Sequence, residues 1–148
     1  KFLRQRKKLH RLGGRIEARD GVLPAVGDPC GTIGADNDAA GERFIDNAYT
    51  VGDRVVLWED DGTPVSMAML RAPAAGVSRI GPVFTPRSSR GRGYGSAVTA
   101  AAASLARRDG VDDVVLFADL ANPTSNAIYR RIGFEAAGDS VRVDFNSP

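Results

Sequence analysis

The sequence predicts an α/β fold, a mixed and mostly antiparallel sheet with helices on both faces. Three observations predict it. Between residues 54 and 85 apolar residues recur with period two, interrupted by turn signals at Asp60-Asp61-Gly62 and at residues 73–76. From residue 94 the period lengthens to that of a helix, with Tyr94, Val98, Ala101, Ala102 and Leu105 on one side. Beyond it lie an apolar run of strand length, residues 114–120, and a second helical stretch bounded by Asn122 and Gly133.

Residues 1–19 carry eight Lys or Arg against one acid, Glu17, and Leu9, Leu12 and Ile16 fall at helical spacing. The apolar stripe is narrow, so a solvated helix or a linker is expected. An arm that touches RNA or another polyanion is the alternative, disfavoured because Phe2 is the one aromatic among the cations. The segment is expected to be dispensable for ligand binding. Residues 20–38, rich in Gly, Pro and Asp, read as loop. Residues 39–49 can form a short helix with Phe44, Ile45 and Ala48 on one side.

Strands follow at 54–58 and 63–70, the second alternating through Val65, Met67 and Met69, with Asp-Gly as a hairpin signal between them. A third strand, 77–85, contains Gly81-Pro82. Proline cannot donate to a ladder, so a bulge or an edge is expected there. The helix 95–108 comes next, then the strand 114–120. In the second helix Asn122 is a good N-cap, Pro123 fits the first helical position, Ile128 and Ile132 lie four apart, and Gly133 is placed to end it. Val141, Val143 and Phe145 alternate with Arg142 and Asp144 and predict an end strand.

At 148 residues the chain is of single-domain size, with the basic segment at 1–19 and the domain proper at 20–148. Its 43% apolar and 26% charged residues are those of an ordinary globule, and a net charge of +2 argues against a general polyanion binder. One cysteine, Cys30, excludes an internal disulfide and a cysteine-rich zinc site, which fits a reducing, cytoplasmic setting. One histidine, His10, leaves no histidine pair for a metal, so no metal is expected. No stretch reaches membrane-spanning length. The chain begins with lysine, and whether it is a processed or excised fragment of a longer protein is left open.

Chemistry concentrates in Arg90-Gly91-Arg92-Gly93-Tyr94-Gly95-Ser96, between a strand and a helix. Glycines let a ligand approach the backbone, the first helical N–H groups lack partners, and the helix dipole favours an anion. Two arginines can add charge-assisted bonds to phosphate. The loop lacks the Lys-Ser or Lys-Thr of a Walker loop, and Ser96 stands where a dinucleotide fingerprint needs its third glycine. A solvated turn with a helix cap is the plain alternative.

The pattern that fits is Arg-x-x-Gly-x-Gly, at Arg90, Gly93 and Gly95. It resembles the pyrophosphate loop of the GCN5-related N-acetyltransferases (GNAT). Downstream, Asn122 or Asn126, Ala127, Tyr129, Gly133 and Phe134 resemble that family's second signature with slightly different spacing, and the two stand in the family's order. The resemblance implies a GNAT-type sheet with a splayed cleft for acetyl-coenzyme A, and acetyl transfer to a small-molecule or peptide primary amine by direct attack in a ternary complex. It implies cofactor contacts at Val83, Phe84 and Thr85, at Arg90, Gly91, Arg92, Gly93, Tyr94, Gly95 and Ser96, and at Asn122 and Asn126. It makes Tyr129 the group that meets the leaving thiolate, with Arg130 or Arg131 either narrowing its pKa gap to the thiol or capping the helix. Val83 and Phe84 could equally be core, and Tyr129 a packing residue. Asp119, Glu59, Glu42 and Asp46 are candidate bases by type, and none is assigned. Nucleic acid and membrane are not expected as partners, and a homodimer is left open. A non-catalytic acyl-coenzyme A sensor or partner domain of the same fold is the second reading.

Overall fold

The computed structural model describes residues 2–5, 16–18 and 38–140. Alternating residues build a hairpin from β3 (Arg54–Asp60) and β4 (Thr63–Leu70), which pair antiparallel with Asp60 opposite Thr63. Asp61 and Gly62 form the turn with φ of 49° and 76°, the left-handed pair that a type I′ hairpin requires. The alternation sends the two strands' side chains into two cores. Val55, Leu57, Met67 and Met69 meet Phe44, Ile45, Ala48 and Tyr49 of α1 (Asp38–Thr50). Val56, Ala68 and Leu70 meet Val98, Ala101, Ala102 and Ala106 of α2 (Tyr94–Arg108) on the opposite face. Small residues along α2 let it lie close to the sheet.

Next to β4 runs β5 (Val77–Phe84), antiparallel to it. The crossover through α2 brings β6 (Asp113–Phe117) alongside β5, and these form the one parallel pair among the described residues. Then come α3 (Pro123–Arg131) and β7 (Phe134–Gly138). With β1 (Phe2–Gln5) and β2 (Ile16–Ala18), the seven-stranded sheet has the order β2-β3-β4-β5-β6-β1-β7. This is the expected α/β fold, a mixed and mostly antiparallel sheet with helices on both faces.

The amino-terminal segment departs from expectation. In place of a helix or linker, its described parts are strands. β1 lies between β6 and β7, antiparallel to both, with Leu3 opposite Leu116 on one side and Ala136 on the other. Without it both neighbours would present an unpaired edge. Leu3 is 1% exposed and belongs to the main core. Ile16, read as part of a helical stripe, pairs opposite Trp58 in β2. Strand pairing with residues distant in the chain overrides the local helical spacing. The end strand expected at 141–145, Cys30, His10 and all of the loop expected at 20–38 but its last residue lie outside the described residues; that residue, Asp38, opens α1 instead. No helix among the described residues is long and apolar enough to cross a membrane.

Candidate active site

β5 organises the site. Its pairing with β6 runs from Val77 opposite Asp113 to Ile80 opposite Leu116 and stops. Its pairing with β4 continues to Val83 opposite Ala68 and Phe84 opposite Met67, with a register shift after Leu70. One extra residue therefore sits in β5 between Ile80 and Val83, where Gly81 takes a φ of 142° and Pro82 offers no N–H. Past this bulge the ladder between β5 and β6 has ended while β5 stays paired with β4, and this end of the ladder is the fork of the sheet. Backbone groups of Val83, Phe84 and Thr85 that do not turn to β4 face the gap. Val83 packs on the α2-side core and Phe84 on the α1-side core, so both side chains are structural.

The strand end is tied down from two sides. Ser66 Oγ donates to Phe84 O at 2.9 Å and lies 2.8 Å from Thr85 Oγ1. Arg90 Nε donates back to Thr85 O at 2.9 Å. After a 3-10 turn at Arg87–Ser89, the chain reaches Gly91 and Gly93 with φ of 79° and 83°. Gly93 caps α2, whose first intrahelical bond is Ala97 N to Gly93 O at 3.0 Å. The amides of Tyr94, Gly95 and Ser96 stand ahead of that bond. A Cβ on Gly95 would lie 3.2 Å from Thr85 Oγ1, so glycine lets the first turn of α2 sit against the end of β5. Tyr94 turns its hydroxyl to the Asp60 carboxylate and braces α2 against the hairpin.

Charge favours an anion here. Residues 62–108 contain seven arginines and no Asp or Glu. Arg87, Arg90 and Arg92 are exposed around the loop, and Arg92 has no carboxylate partner among the described residues. Oriented amides and exposed guanidinium groups are the kinds of group that can hold a phosphate or diphosphate, with the Asp60 carboxylate on Tyr94 the nearby acid.

The second half of the site is the turn from β6 into α3. Asn122 Oδ1 accepts from Ser125 N at 3.1 Å and caps the helix as the sequence predicts. Asn126 Nδ2 donates to Asp119 O at 2.7 Å and Asn122 O at 2.8 Å. Its Oδ1 is buried with no partner among the described residues, a polar atom that calls for a donor. One turn on, Tyr129 packs edge-on to Phe134, ring centroids 6.2 Å apart and planes at 64°. Burial raises its pKa above the ordinary 10.0, and its hydroxyl takes no hydrogen bond among the described residues. Arg130 and Arg131 point outward in the last turn. As cations in the last turn they suit the helix dipole, and the alternative that one of them narrows the pKa gap is corrected: desolvation moves Tyr129 the other way.

Candidate bases gain no support. Asp119 Oδ1 accepts from Ala121 N at 2.9 Å and shapes its own turn. Glu42 and Asp46 are exposed on α1, and Glu59 lies at the hairpin irregularity of β3. Among the described residues, no three His, Cys, Asp or Glu side chains gather as a metal site. Sequence reasoning missed Ser66, whose hydroxyl sits at a buried strand position and reaches the end of the neighbouring strand.

Comparison with known proteins points in one direction. The model of the acetyltransferase (GNAT) family matches residues 27–134. A Trypanosoma brucei acetyltransferase is similar, with 24% identity, a TM-score of 0.60 and coverage of 70% of this chain and 77% of that one. A ribosomal-protein-alanine N-acetyltransferase from Brucella melitensis has 25% identity, a TM-score of 0.59 and coverage of 68% and 64%. An aminoglycoside N-acetyltransferase in complex with CoA shares the fold, with 14% identity, a TM-score of 0.57 and coverage of 74% and 90%. No match was found among curated proteins.

Proposed function

The chain belongs to the acetyltransferase (GNAT) family, and on that premise we propose that it moves an acetyl group from acetyl-coenzyme A to a primary amine, by direct attack within a ternary complex. The observation that carries this reading is the fork. Two strands part at a bulge, and the strand with the bulge leads straight into an arginine-framed helix N-terminus in a stretch without acids.

The residues fit the cosubstrate. Amides from Gly91 to Ser96, with Arg90 and Arg92, hold the diphosphate. Those backbone groups of Val83, Phe84 and Thr85 that β4, Ser66 and Arg90 do not take pair with the pantetheine arm, which lies in the gap as a substitute strand. The arm's amide N–H groups are donors of the kind that Asn126 Oδ1 lacks, and Asn122 holds the turn that presents it. The thioester carbonyl then lies near the bulge, where a backbone N–H at Val83 stabilises the oxyanion. The amine nitrogen attacks the carbonyl carbon, the C–N bond forms, and collapse of the tetrahedral intermediate breaks the C–S bond. The sulfur leaves with the electron pair, and the nitrogen sheds its proton to water.

Tyr129 meets the sulfur. A thiol of pKa about 8.5 opposite a tyrosine held above 10 makes full proton transfer uphill. The hydroxyl therefore donates a hydrogen bond as charge develops, and solvent delivers the proton. Acceptors in this reading are small-molecule or peptide amines in a cytoplasmic setting. Calorimetric titration with acetyl-coenzyme A, followed by thiol release with a panel of amines, tests the proposal. Tight binding with amine-dependent release is the expected result. Binding without release would favour an acyl-coenzyme A sensor, and absence of binding would overturn both readings.

A further inference from the structure

On the face of the sheet that carries α1, at the crotch of the fork, Arg79 lies over the ring of Phe117 with Cζ 5.8 Å from the ring centroid. Arg79 precedes Ile80, the last residue of β5 paired with β6, and Phe117 follows Leu116, its partner. Ile80 and Leu116 point into the α2-side core, so strand alternation turns Arg79 and Phe117 to the opposite side. Both are exposed, Phe117 by 51%. Among the described residues Arg79 has no carboxylate partner, and its guanidinium lies within cation–π reach of the Phe117 ring.

The proposed function gives this pair a role. The diphosphate loop belongs to α2, and Tyr129 packs on the core of the same face. Coenzyme A therefore fills the fork from the α2 side, and the amine has the opposite face left by which to reach the thioester. Arg79 stands on that face, four residues or about 13 Å along the strand from Val83. An acceptor with an anion several bonds from its amine can touch both, helped by the length of the arginine.

We propose that Arg79, oriented by Phe117, is the specificity-determining residue for the acceptor, and that the acceptor is an amine bearing a carboxylate. This rests on the acetyltransferase reading. A planar guanidinium matches a carboxylate through two parallel N–H···O bonds, which a neutral carboxamide cannot reproduce.

The test compares amines that differ only in that group, such as 6-aminohexanoate and 6-aminohexanamide. Rates of acetylation are measured, together with calorimetric binding of each amine to the chain saturated with coenzyme A. The carboxylate should be preferred by about tenfold or more in kcat/KM. Arg79→Ala should bring the ratio towards one, and Arg79→Glu should invert it in favour of the amide. Equal rates and equal binding of the two amines in the wild type, or a preference that survives Arg79→Ala, would overturn the assignment. So would a chain that holds coenzyme A but takes neither amine. Failure of coenzyme A itself to bind is a separate result, and it would bring down the acetyltransferase reading together with this one.

Discussion

At Tyr129 the ring and the hydroxyl have separate work: the ring packs against Phe134, while the hydroxyl bonds nothing among the described residues. Tyr129→Phe should therefore keep the fold and the affinity for acetyl-coenzyme A, and lower kcat by roughly 10- to 1,000-fold. Equal kcat where chemistry limits the rate would reduce Tyr129 to a packing residue. Its raised pKa also has a stability consequence. The folded chain keeps this proton to higher pH than the unfolded chain does, so stability is unaffected below about pH 10 and falls as pH rises above it. Melting curves of Tyr129→Phe should lack that contribution to the alkaline slope. At Gly93, with φ of 83°, a side chain meets no neighbour within 4 Å, so the strain is in the backbone, on the order of 1–2 kcal/mol. Gly93→Val should cost that much in urea unfolding and should weaken acetyl-coenzyme A binding in calorimetry by tenfold or more. Arg92→Ala should weaken it less, since an exposed side chain contributes less than a set of oriented amides. Unchanged binding by both variants would remove the diphosphate loop.

Among the elements, β1 makes the clearest claim on stability. Leu3→Ala should destabilise by about 2–5 kcal/mol in denaturant unfolding, because Leu3 lies in the core between two strands. Deleting residues 1–5 should lower Tm further, because it removes the strand between β6 and β7. This strand was hidden in the sequence for a physical reason. Four residues among many cations carry little pattern of their own, and their state is set by partners more than a hundred positions away. Where structure is local, the sequence was readable. Asp61-Gly62 specify their own turn, Asn122 and Gly133 bound α3 through their own caps, and Gly81-Pro82 announce the bulge that opens the fork. The groups that line that fork were legible as a loop and a helix start. The link from Ser66 to Thr85 was not, because a serine in a buried alternating strand gives no sign of what lies across from it.

Across the whole molecule charge is unevenly arranged: the net value is only +2, yet residues 62–108 hold seven arginines and no acid. A triply charged or more anionic ligand drawn to exposed guanidinium groups should bind more weakly as salt rises, since such groups are screened beyond about 10 Å at 0.1 M ionic strength. Titrations between low and high salt should show acetyl-coenzyme A affinity falling, with a shallower slope for Arg92→Ala. Fold and charge converge on one claim, that the fork brings a thioester and an amine together. The most direct test is acetylation itself: the chain, acetyl-coenzyme A and a carboxylate-bearing primary amine, with free thiol and the acetylated amine followed in parallel, the product by mass spectrometry. The account predicts thiol and N-acetyl product in equal amounts, both dependent on the amine. Acetyl-coenzyme A bound at the fork, with no N-acetyl product from any amine tried, would contradict it.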